Sequence, residues 1–303
     1  MGSQLAKPVT EKVTERHASP PAAGKNADES CRFAASGMQG LRREMEDAHC
    51  IVPSMSEHGL DDHCLVAIYD GHGGAATAKI AAETMLSQIT RQSEYLEYCA
   101  LDDTQREPTL LGRALRSAFL ELDRALPAAL AARQGDSSSG STAVVVLLTP
   151  THFVCASCGD SRAVIANAER TDGVAALSED HKPSLPAEAA RIEAAGGRVL
   201  MDRVDGNLAM SRALGDFELK DEALDQCLQK VSPEPTVEIL SREGTDEALI
   251  VACDGAIPTA HCMVGLCTGG KSESLTLFAR CVGRDEQRRM LSHCARTVGN
   301  WRD

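Results

Sequence analysis

Aromatic side chains are scarce in this sequence, and it has no long apolar run. Aromatic residues make up only 3% of the 303 residues, although 43% are hydrophobic. A core built from such a chain must consist mainly of Ala, Val, Leu and Ile. No apolar run reaches the ~18 residues that cross a bilayer, and the N-terminus lacks the apolar core of a signal peptide. The sequence therefore predicts a globular chain without a transmembrane segment.

Positive charge is also in short supply. The chain has 31 Lys and Arg residues against 44 Asp and Glu residues, a formal net charge of −13. This balance argues against nucleic acid or an anionic membrane as the main partner. A phosphorylated substrate stays compatible with it, because a bound metal ion can reverse the local field.

The 12 cysteines are scattered singly along the chain. Without a secretion signal they predict reduced thiols and a cytoplasmic location, with the nucleus as an alternative. Cys155 and Cys158 form one C-x-x-C, but a zinc ribbon needs a second such pair, which the sequence does not contain. The apolar residues around these two cysteines favour a buried strand over a metal site.

Composition divides the chain into three parts. Residues 1–30 are polar and rich in Pro, Ala, Glu and Lys, which predicts a flexible arm. Residues 31–255 have the pattern of one globular domain. Residues 256–303 carry seven Lys and Arg against four Asp and Glu, hold four of the cysteines and show no convincing strand. We therefore expect a divergent C-terminal segment after residue 255.

The first residues bear on membrane association. Gly2 is the residue that myristoylation uses, but Ala6 stands where that pattern has Ser or Thr. A single acyl chain binds a membrane only marginally. Weak membrane association is therefore expected only if Gly2 is acylated.

Apolar runs and helical spacing indicate the fold class. The predicted strands span residues 64–69, 142–148, 153–158, 162–166 and 247–253. One predicted helix spans residues 109–126, and a second begins at Pro186. The runs 153–158 and 162–166 flank Gly159-Asp160-Ser161, which predicts a hairpin. Because strands occur in clusters with helices between the clusters, the pattern favours an α+β fold with antiparallel sheets over a doubly wound parallel sheet.

Four short segments place a carboxylate beside glycine or in a tight turn, three of them at the end of an apolar run. These segments are Glu46-Asp47, Asp70-Gly71-His72-Gly73-Gly74, Gly159-Asp160-Ser161-Arg162 and Asp254-Gly255. Hard divalent cations prefer oxygen ligands, and glycine allows the backbone to approach them closely. Each segment alone also fits an ordinary turn or a solvated helix start. His181, outside them, is predicted to be a loop histidine bonded to backbone.

Taken in order, the motifs resemble the type 2C family of metal-dependent serine/threonine protein phosphatases. The matching segments are residues 40–49 (GLRREMEDAH), 70–74 (DGHGG), 140–143 (GSTA), 159–163 (GDSRA), 180–183 (DHKP), 211–216 (SRALGD) and 252–255 (ACDG). The resemblance covers roughly residues 31–255, which makes this region the predicted catalytic domain. It implies a central β-sandwich of two antiparallel sheets flanked by α-helices in four layers.

The resemblance also implies a centre for two Mg²⁺ or Mn²⁺ ions. In it Asp70 would bridge the ions, Glu46 and the Gly71 carbonyl would complete one of them, and Asp254 would hold the other. Asp47 would orient water from outside the ligand set. Asp160 would help to bind a weaker third ion.

The implied activity is hydrolysis of phosphoserine and phosphothreonine in protein substrates. A metal-activated water would attack phosphorus directly, so no phosphoenzyme is required. The planar guanidinium of Arg42 would clamp two phosphate oxygens. His72, two residues from Asp70, would act as general acid toward the leaving oxygen.

The C-terminal segment departs from the family pattern. Pro258 stands where relatives have a second Asp, and no Arg-Asp-Asn segment leading into a last strand is present. We therefore expect a metal ligand and a sheet strand to be missing, which would leave an unpaired edge. The alternative function is an impaired phosphatase-like domain that regulates or binds phosphoproteins. A metal-binding domain without a substrate is a further option.

Overall fold

Two antiparallel sheets pack face to face in the computed structural model of this chain. The structure describes residues 7, 9–18, 31–40, 42–133, 138–167, 169, 173–253 and 263–267. The named strands pair only antiparallel within this part of the chain. The α+β class predicted from the clustering of strands is therefore confirmed.

One sheet has five strands and the other has six. In spatial order the five-stranded sheet consists of β14 (Thr236–Ser241), β8 (His152–Cys158), β7 (Ala143–Leu148), β4 (Cys64–Tyr69) and β3 (Ala48–Val52). The six-stranded sheet consists of β1 (Val9–Ala18), β2 (Arg32–Gly40), β16 (Met263–Cys267), β15 (Asp246–Ala252), β9 (Arg162–Asn167) and β10 (Val174–Ala176).

Short strands and four helices complete the described fold. A three-stranded sheet contains β13 (Leu214–Gly215), β6 (Gly140–Ser141) and β5 (Gly71–His72), and β11 (Val199–Leu200) pairs with β12 (Arg203–Val204). The α-helices are α1 (Ala76–Thr90), α2 (Ser93–Ala100), α3 (Pro108–Ala132) and α4 (Pro186–Ala194).

The central strands are buried on both faces, which explains their unbroken apolar runs. On β4, Val66 and Ile68 point into the core between the two sheets. Leu65 and Ala67 point to the opposite face, where they pack with residues of α1, α2 and α3. Helices α1, α2 and α3 thus cover the outer face of the five-stranded sheet, and the second sheet covers its inner face.

Helix α3 supplies much of the helical layer. Pro108 occupies its first turn, where a missing N–H costs no hydrogen bond. Leu111, Leu115 and Leu122 lie on one face and are each at most 1% exposed. Burial of each such side chain contributes about 1.5–3 kcal/mol. The helix continues beyond the predicted end at residue 126 and passes through Pro127, and Leu130 extends the buried stripe.

The hairpin predicted around Gly159-Asp160-Ser161 is wrong. Strand β8 pairs with β7 and β14, whereas β9 pairs with β15 and β10. The turn therefore carries the chain from one sheet to the other. Two buried strands on either side of a tight turn have the same sequence pattern whether they pair with each other or stack in opposite sheets.

Residues 9–18 correct the prediction of a flexible arm over 1–30. They form β1, whose pairing with β2 runs from Val9 opposite Gly40 to Ala18 opposite Arg32. Val13 is 61% exposed, so backbone hydrogen bonds rather than buried side chains hold this edge strand. That is why its polar sequence did not indicate a strand. Residues 1–6, including Gly2, and 19–30 lie outside the described residues.

The C-terminal segment contributes a strand that the sequence did not predict. Strand β16 lies between β15 and β2 and pairs with both. The missing strand and the unpaired edge that we expected from this segment are therefore not found at β15, which is paired on both sides. Asp254 and Pro258 lie outside the described residues.

Candidate functional site

A single pocket at one end of the sandwich collects most of the predicted site residues. Its lining consists of Met38, Gln39, Arg42, Glu44, Met45, Glu46, Asp47, Asp70 and Gly71. The acidic segment before β3 and the Asp-Gly turn after β4 thus share one concave surface.

Strand register brings these two segments together. Strands β3 and β4 pair antiparallel with Ala48 opposite Tyr69. In an antiparallel pair, the residue before one strand lies beside the residue that follows its partner. Asp47 therefore lies beside Asp70. The pairing of the two strands is enough to place both carboxylates at the same sheet edge.

Glycine at position 71 lets the two segments touch. A Cβ atom on Gly71 would lie 2.3 Å from the carbonyl oxygen of Glu46. The side chain of Glu46 accepts a hydrogen bond at 2.7 Å through Oε1 from the backbone N–H of Gly74. Glu46 is thus held against the turn that follows Asp70.

The backbone of Asp70 is fixed by the neighbouring strand segment. Its N–H donates to Thr142 Oγ1 at 3.2 Å, and its carbonyl oxygen accepts from the N–H of Thr142 at 3.0 Å. Thr142 Oγ1 also shares a hydrogen bond with Ser161 at 2.7 Å. This network explains why the GSTA and GDSRA segments accompany the acidic turn.

A buried thiol joins the acidic cluster. One ligand atom each from Asp47, Asp70 and Cys253 lie within 4.8 Å of one another. Cys253 is 1% exposed, and its Sγ donates to Asp47 Oδ2 at 3.5 Å. No role was predicted for Cys253 beyond its place in the ACDG segment. Asp254, the next residue, lies outside the described part of the chain.

His72 is held by a carboxylate that sequence reasoning did not single out. Its Nε2 bonds both carboxylate oxygens of Asp216, at 2.8 and 2.9 Å. Burial by itself lowers the pKa of His72, but the hydrogen bond and charge of Asp216, helped by two further carboxylates, raise the pKa above its ordinary value. Asp216 ends the SRALGD segment, which was the available signal for it.

Asp160 has a protein cation as its partner. The carboxylate is 2% exposed, and the ammonium of Lys182 forms an ion pair with it. A buried charge of this kind is stable only when it is paired. Asp160 is not among the residues that line the pocket of Asp70.

Arg42 stands exposed at the rim of the pocket. The side-chain amide of Gln39 donates to the carbonyl oxygens of Arg42 and Arg43 at 2.9 and 2.8 Å. This cap shapes the loop that carries the guanidinium, and nothing in the sequence pattern pointed to Gln39.

His181 is a structural residue, as its loop position predicted. Its Nδ1 accepts a hydrogen bond from the Gly159 N–H at 3.1 Å, and Nε2 lies 2.8 Å from Thr236 Oγ1. Burial is the main cause that lowers the pKa of His181 to about 4.

The donor set of the pocket fits hard divalent cations. Carboxylate oxygens of Glu46, Asp47 and Asp70 and the backbone of Gly71 line the same wall. Mg²⁺ and Mn²⁺ prefer oxygen ligands of this type. The nearby thiol of Cys253 is hydrogen-bonded to Asp47, and most of the ligand atoms that the pocket offers are carboxylate oxygens.

Comparisons with known proteins agree with this arrangement. The family model described as Protein phosphatase 2C matches residues 31–258. Protein phosphatase 1B of Mus musculus is 39% identical over 258 residues, which cover 84% of this chain and 63% of that protein. Protein phosphatase 1A of Homo sapiens is 39% identical over 257 residues, with the same two shares of 84% and 63%. The chain thus spans about 63% of the length of these curated relatives.

Solved structures show the same fold. The serine-threonine phosphatase 2C from Toxoplasma gondii superposes with a TM-score of 0.69 at 21% identity, over 95% of this chain and 93% of its own. A phosphatase from a pathogenic strain of Toxoplasma gondii gives a TM-score of 0.65 at 22% identity, over 86% and 96%. The match to the family model and the relatives at 39% identity show that the chain belongs to the protein phosphatase 2C family.

Proposed function

We propose that this chain is a metal-dependent protein serine/threonine phosphatase that hydrolyses phosphoserine and phosphothreonine without a phosphoenzyme. The observation that carries the proposal is the single pocket shared by Arg42, Glu46, Asp47 and Asp70. It combines a guanidinium suited to a phosphate with carboxylates suited to divalent cations. Family membership supports the same reaction.

Different residues of the site would bind the metal ions, bind the phosphate and donate a proton. Glu46, Asp70 and the Gly71 carbonyl would hold Mg²⁺ or Mn²⁺, together with Asp254, and Asp47 would orient water. Bound divalent cations lower the pKa of water toward neutrality and offset the charge of a phosphate. Arg42 binds phosphate oxygens through its planar fork. Proton donation to the leaving serine or threonine oxygen is assigned to His72.

The test is hydrolysis of p-nitrophenyl phosphate in millimolar Mn²⁺, with and without EDTA. We expect turnover that requires the metal and that Asp70→Asn abolishes. Mn²⁺ binding by calorimetry should fall in the same variant. The matched control is Asp61→Asn, because Asp61 is an exposed residue just before the opposite end of β4. Well-folded wild-type protein that shows no turnover would refute the proposal.

An impaired, phosphoprotein-binding domain is the second candidate. Two features favour it: Pro258 stands where the family resemblance implies an Asp, and Asp160 is ion-paired with Lys182. On this alternative a phosphothreonine peptide would bind with micromolar or weaker affinity and would not be hydrolysed. Binding and turnover measured on the same peptide therefore separate the two candidates.

Location and acylation complete the proposal. We place the protein in the cytoplasm, with the nucleus as the alternative, on the strength of its singly scattered cysteines. Within the described residues no helix is long and apolar enough to cross a membrane. Acylation of Gly2, which would add weak membrane association, is checked by mass spectrometry of the natural N-terminus.

A further inference from the structure

We propose that Asp216 is a positioning residue for the reaction: it binds Nε2 of His72 across Gly140 and so reserves Nδ1 for the leaving-group oxygen of the substrate. The inference rests on the proposed phosphatase function for its kinetic consequences. The contact itself is a property of the chain and can be tested without turnover.

The contact between the two side chains is close and shielded from solvent. Nε2 of His72 lies 2.8 Å from Oδ2 and 2.9 Å from Oδ1 of Asp216. The Asp216 side chain is 7% exposed and that of His72 is 25% exposed. A charge-assisted hydrogen bond in such surroundings holds the ring more firmly than a surface contact does.

The small three-stranded sheet explains how residues so far apart meet. In β6, Gly140 pairs with His72 of β5 on one side and with Gly215 of β13 on the other. The two side chains therefore reach each other over the middle strand. A Cβ atom on Gly140 would lie 2.1 Å from Asp216 Oδ2 and 2.4 Å from His72 Nε2. Only glycine leaves room for the contact.

The backbone that carries Asp216 is fixed independently of His72. The N–H of Gly215 donates to Asp123 Oδ1 at 2.9 Å, and Asp123 also accepts from Lys220 at 2.8 Å. The N–H of Asp216 donates to the carbonyl oxygen of Ser139 at 3.2 Å. With φ of 51°, Asp216 has a left-handed backbone that these contacts must hold. The carboxylate is therefore presented to the ring by a rigid support.

This arrangement selects one role for each ring nitrogen. An ionised carboxylate only accepts hydrogen bonds, so the nitrogen that faces Asp216 must carry a hydrogen. Nδ1 of His72 is buried and has no hydrogen-bond partner among the described residues. Because Nε2 is occupied by Asp216, Nδ1 is the nitrogen left for a group from outside the chain. Neighbouring atoms must move aside for that group to reach it, since Nδ1 itself is buried. A carboxylate that fixes the tautomer of a catalytic imidazole in this way is a known device.

If the ion pair between His72 and Asp216 were purely structural, its loss would affect the rates of hydrolysis differently. Loss of structure slows every substrate alike. Loss of ring positioning slows only those reactions in which the leaving oxygen needs a proton. The alkoxide of threonine is strongly basic and needs one, whereas p-nitrophenolate departs without it. The ratio of kcat values for the two substrates thus shows whether the contact between His72 and Asp216 positions the ring or only stabilises the fold.

The kinetic experiment compares Asp216→Asn and Gly140→Ala with the wild-type protein in Mn²⁺. The first variant removes the carboxylate charge, and the second keeps both side chains but forces them apart. For each we expect kcat on a phosphothreonine peptide to fall about 10²-fold, the lower range for general acid catalysis, and kcat on p-nitrophenyl phosphate to fall less than about threefold. KM for the peptide should stay nearly constant.

Asp246→Asn is the matched control. Asp246 is buried like Asp216, and its carboxylate accepts a hydrogen bond from the side-chain amide of Asn167 at 2.9 Å in a different part of the fold. This variant should lose comparable stability but keep the wild-type ratio of the two kcat values. An Asp216→Asn protein that is folded by circular dichroism and also keeps the wild-type ratio would overturn the proposal.

A second measurement needs neither metal nor turnover. In the metal-free wild-type protein, nitrogen-15 NMR of the histidine rings should show that Nε2 of His72 carries a hydrogen, and Gly140→Ala should change that signal. A wild-type ring that is protonated only at Nδ1 would overturn the assignment. Wild-type protein inactive on both substrates would instead refute the phosphatase function, and NMR would then still decide the role of Asp216.

Discussion

Two glycines near the site, Gly71 and Gly140, lie where a Cβ atom would meet other atoms of the protein. At Gly71 the ideal Cβ position lies 2.3 Å from the backbone carbonyl oxygen of Glu46 and 3.1 Å from Cβ of Ala78. A backbone atom cannot move aside as the end of a flexible side chain can. The segment that carries Glu46 must therefore shift when position 71 gains a side chain.

Gly71→Ala is expected to destabilise the protein by about 1–3 kcal/mol, the usual cost of overpacking. It should also weaken Mn²⁺ binding, because Glu46 is displaced from the pocket. Urea unfolding and calorimetry measure the two effects. Gly244→Ala is the control, since Gly244 is exposed and no atom lies within 4 Å of its ideal Cβ position. Equal effects of the two variants would contradict the argument.

Glu188 on α4 is a buried carboxylate whose pKa is strongly shifted. It is 4% exposed and accepts hydrogen bonds from Arg212 at 2.6 Å and from Arg191 at 2.7 Å. Burial by itself raises the pKa of Glu188, but the hydrogen bonds from Arg212 and Ser211 and the two guanidinium charges outweigh burial and lower the pKa to about 2.

Because this pKa is depressed in the folded state, the carboxylate stabilises the fold above the unfolded value of 4.5. That stabilisation, about 3 kcal/mol, is lost as pH falls from 4.5 to about 2. Glu188→Gln should remove this pH dependence and lower stability at neutral pH. The free energy of unfolding in urea across that range is the measurement. Glu193→Gln, an exposed position on the same helix, should keep the wild-type pH dependence.

At the scale of elements, β16 is the strand on which the six-stranded sheet depends. It lies between β15 and β2, with Val264 opposite Val251 on one side and Ala35 on the other. In an interior strand every backbone N–H has a neighbour to bond. The segment after residue 255 therefore completes the sheet even though its composition differs from the rest of the chain.

Val264→Pro is expected to cost about 3 kcal/mol or more, because proline cannot donate to a ladder and is excluded from interior strands. The unfolding midpoint in urea should fall and aggregation should increase. Val264→Ala keeps the N–H, so the difference between the two variants isolates the contribution of the hydrogen-bond ladder. If proline and alanine have equal effects, β16 does not pair as described.

At the scale of the whole molecule, net charge affects the choice of substrate. With a net charge of −13 the protein repels acidic peptides over distances of about a Debye length, ~10 Å at 0.1 M salt. Raising the ionic strength from about 0.02 M to about 0.3 M should therefore lower KM for a phosphopeptide with acidic flanks and raise KM for one with basic flanks. Steady-state kinetics on the two peptides measures this. Identical salt responses would show that net charge has no such influence.

Much of the fold class and part of the site were accessible from the sequence, and the reason is local. Cys64–Tyr69 and the helix from Pro108 bury their own apolar residues, so periodicity indicated them without knowledge of their neighbours. The adjacency of Asp47 and Asp70 follows from the register of β3 and β4, and the motifs at those strand ends suggested it. The family resemblance, which rests on the order of such motifs, was confirmed.

Other features depend on which surfaces meet, and no local pattern contains that information. His72 and Asp216 are 144 residues apart and touch only because three short strands align on either side of Gly140. Strand β1 is held by backbone hydrogen bonds, which leave no trace in side-chain periodicity. Strands β8 and β9 belong to different sheets. Packing of the sandwich decided this, because a buried strand has the same sequence pattern in either sheet. Amino-acid order thus specified the chemical groups and their local conformations, and tertiary packing decided which of those groups face one another.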